Sequence, residues 1–186
     1  MAQPARRPAS YQDVLDAPPN RVAELIGGVL YTHPRPASLH ARAASMLGGE
    51  LLGPFDRGRG GPGGWVLLFE PELHVGPNVL VPDLGGWRRA RMPVMPEVPF
   101  FELAPDWACE VLSPSRADYD RDVKLPAYAR AGVPHVWLVD PALRRLEVLR
   151  LGPSGYRVAE ACHGDEAVRA EPFDAIELSL GALWAR

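Results

Sequence analysis

The sequence predicts an α/β fold: one mixed β-sheet flanked by helices, with additional β-hairpins. Three observations carry this. The near-continuous apolar runs Trp107–Leu112 and Pro134–Asp140 read as strands buried on both faces. Between them, Ser115–Ala131 has helical character and is long enough for a crossover, which allows the two strands to run parallel. Glycine turns at Gly27-Gly28 and Gly152–Gly155 each separate two strand-like runs, the pattern of hairpins. At 186 residues, 47% hydrophobic and 23% charged, the chain has material for a core and fits a single domain over 1–186.

Residues 1–10 read as a loose arm, and Tyr11–Leu15 as a short helical turn. Val22–Ile26 and Val29–Thr32 form the first hairpin, ended by Pro34 and Pro36. Helical spacing of Leu39, Ala43, Met46 or Leu47, and Leu51 predicts a helix over Ser38–Leu52 with Ser38 as N-cap; His40 borders its buried stripe. The glycine-rich loop Gly53–Gly64 lacks the Gly-Lys-Ser/Thr ending of a phosphate-binding P-loop and is not one. Trp65–Phe69 is an apolar strand, and Glu72–Val75 and Val79–Leu84 are strands joined by a turn. Four prolines make Arg88–Pro105 a loop. After Trp107–Leu112, Ser115 and Asp118 resemble a capping box opening a helix that ends at Gly132, with Pro126 set to kink it. The strand at Pro134–Asp140 is followed by a hairpin of Leu146–Leu151 and Tyr156–Ala161.

A net charge of −3 gives no global attraction to nucleic acid, so any such contact needs local patches such as Arg57/Arg59 and Arg88/Arg89/Arg91. Cys109 and Cys162 lack Cys-x-x-Cys spacing and read as buried free thiols. With no signal-like N-terminus and no apolar stretch of membrane-spanning length, a cytoplasmic protein without membrane contact is expected.

Of the 20 basic residues, 19 are arginine; Lys124 is the only lysine. An ammonium is a compact charge that can exchange a proton, which a guanidinium does not. Two acids stand out by context. Asp83 follows Val81-Pro82 at the end of an apolar strand, and Glu110 interrupts the most apolar strand of the chain. A lone buried carboxylate is costly, so Glu110 must be paired, protonated or metal-bound. A strand–helix pair can fold Lys124 back over Glu110, with Asp120 and Tyr128 as its neighbours at four-residue spacing. Two carboxylates and an amine suit a hard divalent cation and a phosphodiester. The same residues also suit an ion pair that only pins helix to sheet, and spacing alone leaves both open. The aspartates 118, 120 and 122 are accounted for by favourable charge near a helix N-terminus.

Val81-Pro82-Asp83, Trp107–Ser115, Asp118–Lys124, Tyr128–Val133 and Val136–Asp140 together resemble the Uma2 family of restriction-endonuclease-like proteins, within the PD-(D/E)XK nuclease superfamily. The match is strongest over about residues 80–141, and Glu24–Gly28 and the helix containing His40 extend it. The resemblance implies a restriction-endonuclease-like fold, with Asp83 and Glu110 as catalytic acids and metal ligands. It also implies that Lys124 supplies the amine from the following helix, because the superfamily's usual lysine position, two residues after the second acid, is Leu112 here. Glu24 matches an acidic position of the family and is an accessory candidate, although a solvent-facing hairpin glutamate is the other reading. His40 and Glu72 are further accessory candidates. The function expected is a Mg²⁺-dependent DNA endonuclease, with Mn²⁺ as an alternative metal. The other reading is an inactive nuclease-fold module that binds nucleic acid or a protein partner. A homodimer is compatible with double-strand cutting, which needs two sites.

Overall fold

The computed structural model describes residues 7–184. A six-stranded mixed sheet forms its centre, built from β3 (Trp65–Phe69), β6 (Leu84–Arg88), β7 (Trp107–Val111), β8 (His135–Asp140), β9 (Arg145–Gly152) and β10 (Gly155–His163). The order is β10-β9-β8-β7-β6-β3, and only the central pair β7–β8 is parallel. A second, antiparallel sheet runs β2-β1-β5-β4, from β1 (Arg21–Ile26), β2 (Val29–Pro34), β4 (Leu73–Val75) and β5 (Asn78–Leu80). The β1–β2 turn has positive φ at both Gly27 and Gly28, 59° and 77°, the conformation of a tight two-residue hairpin.

Alternation along β7 assigns its two faces. Trp107, Cys109 and Val111 join the core packed under α2 (Ser38–Leu51), with Ala43, Leu47, Trp137 and Phe173. Ala108 and Leu112 join the opposite core, with Ala127, Tyr128, Val136 and Leu138. Glu110 therefore points toward the crossover helix, into a layer that is otherwise apolar. No helix among the described residues is long and apolar enough to cross a membrane.

Several elements differ from the sequence reading. The strand expected over Val79–Leu84 is two strands, β5 and β6, which lie in different sheets with Val81-Pro82-Asp83 as the passage between them. Strand β6 runs through Gly85-Gly86, where a turn-like composition hides a packing requirement. A Cβ on Gly86 would lie 2.8 Å from Leu67 and 3.1 Å from Trp107. The N-cap of α2 is Ala37, and Ser38 is its first helical residue.

The crossover is not a kinked helix. It runs as α3 (Ala117–Tyr119), a π-helical turn (Asp120–Lys124) and α4 (Leu125–Arg130), with Pro126 in the first turn of α4. The wider turn accommodates a residue that cannot donate a helical N–H. Residues 1–6 of the expected arm lie outside the described residues. Ala9 donates its N–H to Gly28 at 2.8 Å, and Ser10 caps α1 (Tyr11–Leu15) through Asp13. The C-terminal stretch, unassigned by pattern, carries Phe173 into contact with Phe55, Trp65, Trp107 and Trp137.

Candidate functional site

Four chain segments converge where the two sheets meet. Strand β1 brings Glu24, the β5–β6 passage brings Asp83, β7 brings Glu110, and the crossover brings Asp120, Lys124 and Tyr128. The Val81 peptide is wholly used by this cluster: its N–H donates to Glu24 Oε1 at 2.8 Å and its carbonyl accepts from Lys124 Nζ at 3.0 Å. Pro82 has no N–H, so strand pairing lapses there and Asp83 is free to turn into the site.

Lys124 is fully buried and sits at the centre. Its ammonium lies 2.8 Å from Glu110 Oε1, 3.0 Å from Glu24 Oε1 and 3.0 Å from the Val81 carbonyl. The ammonium thus pairs with two carboxylates and donates to one carbonyl, a compact set of contacts that suits a lysine in a chain that otherwise uses arginine. A guanidinium has five N–H groups in a plane and would leave donors without partners in this enclosure. Glu24 is itself fully buried and takes a further hydrogen bond from Tyr119 at 2.9 Å, so it is not a solvent-facing hairpin residue. Tyr128 donates to Glu110 Oε1 at 2.5 Å.

Asp83 lies at the open side of this cluster. Its Oδ2 accepts the Val111 N–H at 2.7 Å and stands 3.0 Å from His40 Nε2. Asp83 and His40 line a cavity of about 210 Å³ with Pro36, Ser45, Phe69 and Glu70. Glu70 has a positive φ of 45°, which is uncommon for a side-chain-bearing residue.

Acids outnumber cations here. Glu24, Asp83, Glu110 and Asp120 face Lys124 and Arg116. Burial pushes Asp83 up to about 6 and Asp120 up to about 6, with Lys124 pulling each the other way. Burial also raises Glu110 well above the glutamate range, against the opposing pull of Lys124. For Lys124, burial alone would lower the pKa, but Glu110, Glu24, Asp120 and Asp83 together outweigh it and raise it. The ammonium therefore keeps its proton, and the surplus of carboxylates favours either retained protons or a bound cation.

The structure brings Asp83, Glu110, Lys124, Glu24 and His40 together. It does not bring Glu72, which accepts from Tyr11 at 2.8 Å and pairs with His74 at 2.7 Å. Of the expected basic patches, Arg89 pairs with Asp56 at 3.1 Å and Arg91 with Asp106 at 2.8 Å, while Arg88 stacks over Trp65 and Arg57 and Arg59 are exposed. Helix-end charge does not account for Asp120, which is 2% exposed and part of the cluster. Its four-residue spacing from Lys124 was the available signal, as it was for Tyr128. Tyr119 and Arg116 carried none.

Among the described residues, no set of three or more His, Cys, Asp or Glu side chains is arranged to hold a metal alone. Mg²⁺ does not require such a set, since it commonly binds through one or two carboxylates, waters and substrate phosphate oxygens. Asp83 and Glu110 suit that mode. Their hydrogen bonds among the described residues all fall on Oδ2 and Oε1, which leaves one oxygen on each carboxylate for a hard cation.

Comparison with known proteins is consistent with these features. Residues 8–181 match the model of the Uma2 family, described as "Putative restriction endonuclease". No curated protein matches the chain. A crystal structure described as "a putative nuclease belonging to DUF820" from Anabaena variabilis superposes with a TM-score of 0.77 and 22% identity, covering 95% of this chain and 98% of that one. At that identity the likeness establishes the shared fold.

Proposed function

This chain belongs to the Uma2 family, and from that premise we propose that it is a metal-dependent endonuclease hydrolysing phosphodiester bonds in DNA. The family's description implies a nucleic-acid substrate. The observation that carries the reading is the buried Lys124 clasped by Glu24 and Glu110 beside a half-buried Asp83, an arrangement with more carboxylates than cations. A merely structural pair needs only one carboxylate per ammonium.

Asp83 and Glu110 would hold Mg²⁺ or Mn²⁺, which supplies Lewis-acid polarisation of a phosphoryl oxygen and an acidified water. The chain's own residues do the rest. Lys124 fixes Glu110 and Glu24 in place and offsets their charge, so Glu110 presents its unengaged oxygen at a set position. The Val111 N–H and His40 orient Asp83 in the same way. The apolar layer around Ala108, Leu112 and Leu138 keeps water from the back of the site and strengthens every charge interaction in it. A second copy would supply the second cut of a duplex.

Nicking of supercoiled DNA by purified protein tests this. Wild type should nick with Mg²⁺ or Mn²⁺ and not with chelator, and Asp83→Ala should be inactive. Equal nicking by both proteins would sink the assignment. One observation favours a non-cutting binding module instead: Lys124 is fully buried and paired inside the protein, and Leu112 occupies the superfamily's usual lysine position. That module would bind nucleic acid without nicking and without any metal-linked rise in melting temperature.

A further inference from the structure

We propose that Arg116 is the substrate-facing cation of this site, its guanidinium binding a non-bridging oxygen of the phosphodiester. The inference rests on the reading of the site as one for a phosphodiester. Lys124 is poorly placed for that contact, because it is fully buried, paired with Glu24 and Glu110, and hydrogen-bonded to the Val81 carbonyl. Reaching a phosphate would require breaking one of these contacts.

Arg116 is placed differently. It opens the crossover, six residues after Glu110, and is only half-buried. The Tyr119 ring beneath its guanidinium packs 4.5 Å from His33 and donates its hydroxyl to Glu24, which sets Arg116 at the edge of the cluster, where its charge also acts on Asp83, Asp120 and His40. Yet among the described residues it forms no ion pair, and its buried Nε–H has no acceptor. Its guanidinium carbon lies 5.9 Å over the Tyr119 ring.

The obvious structural partner is Asp120, one helical turn on, whose N–H donates to the Arg116 carbonyl at 3.0 Å. Asp120 Oδ1 is likewise buried without a partner, so the two side chains do not satisfy each other. A buried donor without an acceptor costs about 1–3 kcal/mol and calls for an explanation. A planar guanidinium with an uncommitted buried N–H at the edge of this cluster is suited to a phosphate contact. It also provides the cation that Leu112 does not.

The test uses full-length protein with Arg116→Met and Arg116→Lys, binding a labelled DNA duplex without metal over a range of salt concentrations, and then cutting it with Mg²⁺. Loss of one phosphate contact should lower the slope of log K against log salt by about 0.9 in Arg116→Met, while Arg116→Lys keeps it. With DNA saturating, kcat of Arg116→Met should fall about 10²-fold, with partial rescue by lysine. Should Arg116→Met fail to fold, Arg116→Gln is read for the same slope. An unchanged slope together with unchanged cutting overturns the role of Arg116 and leaves a nicking wild type as a nuclease. A slope lowered as expected in a protein that never cuts upholds Arg116 and overturns the nuclease reading. A wild type that neither binds nor cuts overturns both.

Discussion

Replacing Lys124 by methionine removes the charge at the centre of the site and keeps most of its volume. The ammonium holds three acceptors, two of them carboxylates that are 0% and 2% exposed. Without it, Glu24 and Glu110 remain buried with no cation in contact. Breaking a buried ion pair costs about 3–5 kcal/mol, which for a chain of this length lowers the melting temperature by about 6–20 °C. The group of Glu24, Glu110 and Lys124 has a formal charge of −1 in the wild type and −2 in Lys124→Met. Adding Glu110→Gln returns it to −1, so the double variant should recover at least half of the lost melting temperature. The deficit of Lys124→Met should also shrink as pH falls, because the stranded carboxylates take up protons. Thermal melting of wild type, single and double variants between pH 5 and 8 measures all of this. A loss below about 2 °C for Lys124→Met, or no recovery in the double variant, would refute the reasoning.

Asp120 should make stability depend on pH. Burial raises its carboxyl to about 6, so the folded state binds its proton more tightly than the unfolded chain does. That contribution is complete below the ordinary aspartate range and is lost as pH rises through about 6; its size is about 2–3 kcal/mol. Denaturant melts of Asp120→Asn should show a flatter profile over pH 4–7 than wild type; identical profiles would contradict this. Mn²⁺ or Mg²⁺ should raise the melting temperature of wild type by mass action and leave Asp83→Ala unmoved, whereas an equal rise in both would place the metal elsewhere. Gly86→Ala puts a Cβ 2.8 Å from Leu67 in a central strand, so it should cost about 1–3 kcal/mol by denaturant melt. Full stability in that variant would show that the Trp65–Trp107 layer yields more than its packing implies.

The parts of the fold legible in the sequence were those with strong periodicity. The apolar runs of β7 and β8 and the helix between them gave the parallel pair, and the glycine pairs gave the hairpins. What stayed hidden depends on long-range packing. Gly85-Gly86 has the composition of a turn but lies in a strand, its glycines required because Pro71, Leu67 and Trp107 leave no room for a Cβ. The π turn at Asp120–Lys124 follows from fitting Pro126 into a continuous crossover, which local patterns read as a kink. The C-terminal segment shows no regular period, yet Phe173 fills the space among three tryptophans. In the site, Asp83, Glu110 and Lys124 were marked by polar residues in apolar surroundings and by a single lysine among arginines. Asp120 was obscured by two neighbouring aspartates that are not buried. Arg116 was obscured by the arginine-rich composition itself.

The central claim is that Asp83 and Glu110 share a divalent cation beside the Lys124 cluster. Anomalous diffraction from crystals of the protein soaked in Mn²⁺ tests it most directly. The account predicts one peak within coordination reach of both the Asp83 and the Glu110 carboxylates. Mn²⁺ bound only elsewhere, with Asp83 and Glu110 keeping their present contacts, would contradict it.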